Sequence, residues 1–265
     1  MKWGLICKPS EESFLIGKKI YELLENVLLE YKIAEYMGKR GYSIEEIGKE
    51  ADKIIIIGGD GTILMTLQHT AKPIFSINTG RIGFLTEVEA KDANDAIKKI
   101  LNGEYFIEER IKIKAFLNNK PLPDAANEIA IHTASIGKIL FLKLYINENL
   151  TLNICGDGII VATPTGSTSY ALSVGGPVIE PCLKVFVVAP IAPFRHISPP
   201  LVIPSDRKIK IKVEKKAKVA IDGLCVYEFM PEDELKIVES DRKARFIKLK
   251  DSFYKKIYEK LSLNK

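Results

Sequence analysis

One carboxylate of this chain is enclosed by glycines directly after a strongly apolar run. Four isoleucines at 54–57 precede the turn Gly58-Gly59-Asp60-Gly61. Such a run is typical of a strand buried on both faces of a parallel sheet, and ligands of these sheets bind at the carboxyl ends of strands. An aspartate there can accept a proton from a substrate hydroxyl or meet a metal, because glycines leave it accessible. An Asp-Gly pair also forms tight turns for backbone reasons alone, so a structural role stays open.

A second segment joins an apolar strand to a loop rich in hydroxyl groups. It begins at Asp157-Gly158, continues through Thr163-Pro-Thr-Gly-Ser-Thr168, and leads through Ser169 to a predicted helix start at Tyr170. Hydroxyls together with the amides of a helix N-terminus bind anions or nucleotides. A simple Ser/Thr-rich helix cap is an equally good interpretation of this segment alone.

A third candidate is the pair Asn127-Glu128, which stands at the start of the apolar run 129–131. An amide and a carboxylate offer the donors and acceptors that ribose hydroxyls need. The pair is common in proteins and indicates little by itself.

The elements that must position these residues change in kind along the chain. The first hundred residues alternate predicted strands and helices, which indicates a parallel, Rossmann-like sheet in an α/β domain. The predicted strands are Trp3–Cys7, a short one near 33–36, 54–57 and 73–77; the predicted helices are 11 to about 29, about 62–70 and about 90–101, with a capping box at Ser43 and Glu46.

Beyond Gly103, short alternating segments separated by Asn, Gly and Pro turns predict a β-rich, sandwich-like domain. A last helix, about 251–261, is expected to pack back on the first domain. We therefore predict an α/β domain over 1–102 that carries the glycine turn, with 248–265 returning to it. The β-rich domain is predicted over 103–247.

Composition excludes several classes of protein. The 265 residues carry a net charge of +5 and contain no apolar run long enough to span a bilayer. The basic segment 208–218 alternates with apolar residues, as a solvated strand does, so nucleic-acid binding is not expected. The N-terminus lacks a signal-peptide pattern, and the four scattered cysteines suggest neither zinc nor disulfides. A cytoplasmic protein without a membrane or nucleic-acid partner is expected.

Taken together, the three segments resemble one family, the NAD kinases, which phosphorylate the 2′-hydroxyl of the adenosine ribose of NAD. The family's marks are a G-G-D-G loop, an N-E pair and a D-G-x-x-x-x-T-P-T-G-S-T-x-Y stretch. They occur here in order at 58–61, 127–128 and 157–170. The segment Gly80-Arg81-Ile82-Gly83-Phe84-Leu85 also resembles the family's G-x-L-G-F-L. The similarity covers about residues 54–223.

The resemblance implies a role for each matching residue. Asp60 would be the general base that takes the 2′-hydroxyl proton, with Gly61 contacting NAD beside it. Asn127 and Glu128 would hold the ribose and nicotinamide-side groups, and Asp157 would approach the nicotinamide end, in some family members from a neighbouring subunit. The other residues implied in NAD binding are Lys138, Thr165, Thr168, Ser169, Tyr170, Ala171, Leu172, Ser173 and Ala192.

The resemblance also implies ATP or a related phosphoryl donor, Mg²⁺ or another divalent metal ion, and a homodimer or homotetramer. No metal ligand is identified by the sequence. The chain departs from many relatives at Met65 and Cys155, where a basic residue is common.

Three other functions compete with this one. Lipid and sugar kinases share the G-G-D-G loop, but the Asn127-Glu128 pair and the polar loop argue against them. A non-catalytic NAD(P) sensor would have no need for Asp60. A structural scaffold would leave the three motifs unexplained.

Overall fold

The structure, a computed structural model, describes residues 1–80, 83–135, 137–194 and 198–261. Arg81 and Ile82 of the glycine-containing segment 80–85 therefore lie outside the described residues. The chain divides into two compact units: Met1–Glu109 together with the segment that begins at Ala244, and Arg110–Lys243.

Strands and helices alternate in the first part of the chain. In order they are β1 (Trp3–Cys7), α1 (Glu11–Glu22), β2 (Val27–Glu30), α2 (Tyr31–Tyr36), β3 (Gly41–Tyr42), α3 (Ile44–Glu50), β4 (Lys53–Ile57), α4 (Asp60–His69), β5 (Ile74–Asn78), β6 (Val88–Glu89), α5 (Ala93–Leu101) and β7 (Phe106–Arg110).

The second part is built mainly of strands. In order they are β8 (Ile113–Leu117), β9 (Lys120–Pro121), β10 (Glu128–Thr133), β11 (Leu140–Ile146), β12 (Asn149–Gly156), β13 (Gly158–Ala162), the short helix α6 (Tyr170–Ser173), β14 (Val185–Ile191), β15 (Leu201–Pro204), β16 (Ile209–Val213), β17 (Ala217–Ile221), β18 (Cys225–Phe229) and β19 (Leu235–Glu239). The chain then returns to the first unit with β20 (Ala244–Lys248) and α7 (Phe253–Leu261).

The first unit contains a sheet with the order β3-β2-β1-β4-β5-β20-β7, and β6 pairs with β5. Strand β4 runs parallel to both neighbours, β1 and β5. Its four isoleucines at 54–57 are fully buried, because helices cover both faces of a parallel sheet. The predicted strand ahead of the glycine turn is confirmed.

The N-terminal region differs from the sequence prediction in two places. Helix α1 ends at Glu22, and Val27–Glu30 is a strand paired with β1, so the helix predicted to about residue 29 was too long. The strand predicted near 33–36 was wrong, since those residues lie in α2. The helical spacing of apolar residues continues across the turn at Asn26, which adopts a positive φ of 53°, and so hides the end of the helix. The predicted capping box of Ser43 and Glu46 is present.

The second unit is a sandwich of two antiparallel sheets, with the orders β15-β14-β13-β10-β17-β18 and β12-β11-β16-β19-β8-β9. Apolar side chains from both sheets, such as Ile131 and Ile211, form one core between them. On the outer face of the first sheet, Ala130 and Ile160 pack with Ala171 of α6. This burial on both faces explains the continuous apolar run of β13. The predicted α/β domain followed by a β-rich, sandwich-like domain is confirmed.

None of the helices in the described part of the chain is both long enough and apolar enough to cross a membrane.

Candidate functional site

Asp60 lies at the first position of α4, directly after β4 and its glycine turn. Its carboxylate accepts two backbone hydrogen bonds: Phe84 N donates to Oδ2 at 2.9 Å and Leu85 N donates to Oδ1 at 3.2 Å. The helix N-terminus also favours a negative charge there. The carboxylate is therefore held in one orientation while the residue stays half-exposed.

Gly83 allows this arrangement by close approach. A Cβ atom on Gly83 would lie 1.8 Å from Asp60 Oδ1, which is far inside van der Waals contact. The loop is also closed on itself, because Gly83 N donates to Thr86 Oγ1 at 3.2 Å. The glycine turn 58–61 and Gly83 of the second segment thus build one feature, a fixed and accessible carboxylate.

In the second unit, three strand ends meet at one edge of a sheet. Strand β10 lies between β13 and β17 and is antiparallel to both, so its start adjoins their ends. Asn127 and Glu128 are at that start, and Asp222 follows β17. The Asp222 carboxylate accepts three amides: Ala126 N at 2.8 Å, Asn127 N at 2.8 Å and Glu128 N at 3.0 Å.

The hydroxyl-rich loop after β13 makes hydrogen bonds to the segment 126–127 as well. Thr163 Oγ1 donates to Ala126 O at 2.6 Å, and Thr163 N donates to Asn127 O at 2.8 Å. Gly166 passes so close that a Cβ there would lie 2.2 Å from Asn127 O. The N-E pair and the T-P-T-G-S-T loop are consequently held together by backbone contacts and hydrogen bonds.

Two polar atoms at this edge point to a ligand. Asn127 Oδ1 and Glu128 Oε2 are buried and have no hydrogen-bond partner among the described residues. Buried polar atoms are almost always paired in folded proteins. A bound molecule with hydroxyl or amide groups would satisfy both.

Glu128 and Asp222 form a buried acidic pair, each 7% exposed. Burial and the charge of Asp222 raise the pKa of Glu128 to about 8, against a hydrogen bond from Ser169 that lowers it. Burial raises the pKa of Asp222 as well, and the three backbone amides that donate to its carboxylate oppose that shift. With a pKa of about 8, Glu128 is mainly protonated at neutral pH, so its carboxyl can both donate and accept a hydrogen bond.

Three other candidates lie at the opposite edge of the same sheet. Asp157 precedes β13, and its carbonyl accepts from Thr133 N at the end of β10. Ala192 follows β14 beside it, since Asp157 N donates to Ile191 O at 3.0 Å. Lys138 lies in the connection that leaves this end of β10, and all three are exposed. The five residues of β13 separate Asp157 from Thr163, and six residue steps along a strand span about 20 Å.

The residues 170–173 form α6 on the outer face of this sheet. The Tyr170 ring stacks on His132 of β10, with centroids 5.6 Å apart and planes at 11°. Burial and the charges of Asp157 and Glu128 raise the pKa of Tyr170. Ala171 is buried against the sheet, whereas Ser173 is exposed and Leu172 half-buried. Tyr170 thus lies within electrostatic reach of both edges.

The sequence matches two domain models over most of its length. Residues 4–105 match the ATP-NAD kinase N-terminal domain and residues 126–249 match the ATP-NAD kinase C-terminal domain. An NAD kinase of Pyrococcus furiosus is 40% identical over 278 residues, covering 99% of this chain and 98% of the relative. The chain belongs to the NAD kinase family. The resemblance inferred from the motifs is confirmed.

Solved structures of the family agree with this fold. The crystal structure of an NAD kinase from Archaeoglobus fulgidus in complex with ATP is 33% identical, with a TM-score of 0.85 and 98% of each chain covered. The yeast NADH kinase complexed with NADH has a TM-score of 0.91 and covers 100% of this chain and 88% of its own. At 23% identity the latter shows the shared fold alone.

The predicted site residues of this NAD kinase family member fall into separate groups. Asp60 and exposed Gly61 belong to the first unit, and the others to the second. Within the second unit one edge holds five of them, Asn127, Glu128, Thr165, Thr168 and Ser169, and the other edge holds Asp157, Ala192 and Lys138.

Sequence reasoning missed the role of Asp222. The signal was available, because the pair Asp222-Gly223 follows an alternating, strand-like segment, and an Asp-Gly pair also stands after the continuous apolar run that precedes Asp60. What the sequence could not show is that β17 lies beside β10, which brings the Asp222 carboxylate under the amides of the N-E pair.

A divalent metal is implied by the family, and the chemistry of Asp60 fits one. Mg²⁺ is usually held by one or two carboxylates together with substrate phosphates and waters. Each oxygen of Asp60 accepts one amide and keeps a lone pair free for such contacts. No cluster of three or more His, Cys, Asp or Glu side chains suited to a metal occurs in the ranges that the structure describes.

Proposed function

We propose that this chain transfers the terminal phosphoryl group of ATP to the 2′-hydroxyl of the adenosine ribose of NAD, giving NADP and ADP. The observation that carries the proposal is the Asp60 carboxylate, fixed by the amides of Phe84 and Leu85 in an open glycine turn. Family membership supports the substrates, and the Archaeoglobus fulgidus relative was solved in complex with ATP.

Asp60 acts as the general base in this proposal. Its oxygens keep lone pairs that can accept the proton of the 2′-hydroxyl as the oxygen attacks the terminal phosphorus. A positioned base contributes about 10²–10⁴-fold to such a reaction, and positioning dominates phosphoryl transfer. A bound Mg²⁺ would neutralise part of the triphosphate charge, and Asp60 is the residue that would hold it or its water.

The second unit supplies the NAD site in this proposal. Asn127 Oδ1 and Glu128 Oε2 are the buried atoms at this edge without a hydrogen-bond partner among the described residues, and they suit the hydroxyls of a ribose. The amides and hydroxyls of 163–169 suit nucleotide groups at the same edge. Tyr170 offers an aromatic ring whose pKa responds to the charges of Asp157 and Glu128.

We further propose that the working form is a homo-oligomer. Asp157, Ala192 and Lys138 lie at the edge opposite the N-E pair. A second copy that presents this edge would add them to the site of its neighbour. The cytoplasm is proposed as the location, in keeping with the free thiols of Cys7, Cys155, Cys182 and Cys225.

The test is formation of NADP from NAD, ATP and Mg²⁺, detected with a strictly NADP-dependent dehydrogenase. Parallel reactions replace ATP with polyphosphate or NAD with NADH and so define donor and acceptor. NADP formation is expected with at least one donor. Folded protein that binds NAD without turnover would identify a sensor instead. Protein that does not bind NAD would be tested with lipid and sugar alcohols as acceptors.

A further inference from the structure

The loop that holds Asp60 is itself held by the end of the chain. On one side Ser76 of β5 donates through Oγ to Leu85 O at 3.2 Å. On the other side Glu87 accepts from Leu249 N at 2.8 Å and pairs with Lys248. The segment that follows β20 thus packs against one side of the loop, and helix α7 contacts the loop next to it.

Lys256 of α7 is 8% exposed and lies against the loop. Its Nζ donates to Phe84 O at 3.1 Å and also to Thr86 O. A buried ammonium requires such acceptors. The contact is specific, because it reaches two carbonyls of the short stretch whose amides bind Asp60.

The peptide group between Phe84 and Leu85 links Lys256 to Asp60 directly. Its carbonyl accepts from Lys256 Nζ, and its N–H donates to Asp60 Oδ1 at 3.2 Å. A hydrogen bond to the carbonyl fixes the plane of the peptide and strengthens its N–H as a donor. Moving Lys256 would therefore turn the amide that orients the carboxylate.

Lys260, one turn further along α7, contacts the side chain of Phe84. Its Nζ lies 4.4 Å from the centroid of the Phe84 ring, within cation–π range. Phe84 N is the other donor to Asp60, at 2.9 Å. Burial lowers the pKa of Lys260, and the negative charge of Asp60 opposes that shift.

We infer that Lys256 and Lys260 are positioning residues for the phosphoryl-transfer reaction, acting on Asp60 through the 84–85 peptide and the Phe84 ring. The inference rests on the proposed role of Asp60 as the base. The inference gives a positioning role to helix α7, whose described residues 253–261 carry none of the family motifs.

The experiment compares Lys256→Met and Lys260→Met with Lys255→Met, in the full-length chain. Lys255 is exposed on the same helix and pairs only loosely, at 3.6 Å, with Glu259, so its variant is the matched control. Steady-state kcat and KM for NAD and for ATP are measured for each, with thermal midpoints. Each lysine variant is also made in the Asp60→Asn background.

We expect Lys256→Met to lower kcat about 10-fold or more, since small misplacements of a reacting group are costly. KM for NAD stays within about twofold, and Lys255→Met behaves as the wild type. In the Asp60→Asn background the loss disappears, because the base through which Lys256 acts is gone. Lys260→Met, half-buried, shows the same pattern with a smaller loss and carries the test if Lys256→Met does not fold.

A loss of kcat that is equally large in the Asp60→Asn background would show a merely structural role and overturn the inference. An unchanged kcat in both lysine variants would also overturn the inference. If the wild-type chain forms NADP in the same experiment, the proposed function is still supported. Absence of NADP formation by the wild-type chain would overturn the proposed function and this inference with it.

Discussion

At the scale of single residues, the site depends on a glycine that lies too close to the Asp60 carboxylate for any side chain to fit. Asp60 and Gly83 belong to different motifs and 23 positions of chain separate them, yet a Cβ on Gly83 would lie 1.8 Å from the Asp60 carboxylate. Sequence alone shows two glycine-containing loops. Only the fold shows that the second loop supplies the amides that hold the carboxylate of the first.

Gly83→Ala is therefore expected to displace the Asp60 carboxylate. A shift of about 1 Å can reduce turnover about 10²-fold, so kcat for NADP formation should fall by about that factor. Gly80→Ala is the control, because nothing lies within 4 Å of a Cβ at Gly80. Equal activity of the two variants would show that Asp60 does not need this orientation.

The protonation of Glu128 is also open to measurement. Burial and Asp222 raise its pKa to about 8 from an ordinary value of 4.5. Between pH 4.5 and pH 8, Glu128 keeps its proton in the folded protein and loses it in the unfolded chain. The contribution of Glu128 to the free energy of unfolding therefore falls as the pH rises through this range.

Glu128→Gln cannot titrate and should lack that fall. We expect the free energy of unfolding of the wild type, relative to Glu128→Gln, to decrease by a few kcal/mol between pH 5 and pH 8. Urea denaturation at several pH values measures it, with Glu25→Gln at an exposed position as the control. A difference that does not change with pH would contradict a protonated, buried Glu128.

At the scale of elements, the order of the strands decides which motifs meet. The α/β alternation, the isoleucine strand and the capping box of Ser43 were predictable, because local apolar patterns and caps record them. The end of α1 was not, because apolar residues at helical spacing continue into β2. The placement of Asp222 beneath Asn127 and Glu128 was not predictable either, since antiparallel neighbours far apart in sequence leave no local pattern.

Asp222→Asn tests that strand-end construction. The amide can replace one acceptor but presents an N–H group to donors, so at least one backbone amide among Ala126, Asn127 and Glu128 loses its partner. We expect a loss of about 1–3 kcal/mol in the free energy of unfolding and a raised KM for NAD. Asp206→Asn, at an exposed position beside Arg207, should be nearly neutral. A stable Asp222→Asn protein with wild-type KM would show that the three hydrogen bonds do not shape the site.

At the scale of the whole molecule, the chain forms two compact units, and in our proposal the reaction uses residues of both units and of two copies of the chain. If Asp157 serves the neighbouring site, a purified heterodimer of one Asp60→Asn chain and one Asp157→Asn chain has one intact site. It should regain about half of the wild-type activity per dimer, although both parent proteins are impaired. Activity no higher than the mean of the parents would place Asp157 in the site of its own chain. Light scattering of the wild type fixes the oligomeric state.

The central claim is that Asp60 is the base of an NAD-phosphorylating reaction, and one paired measurement tests it most directly. Asp60→Asn is compared with the wild type for kcat of NADP formation and, by calorimetry, for NAD affinity. Asp52→Asn is the control, because Asp52 is exposed and lies just before strand β4. We predict that kcat falls about 10²–10⁴-fold while NAD affinity changes by less than about threefold. Retained turnover, or NAD binding lost together with turnover, would contradict the assignment of Asp60 as the base.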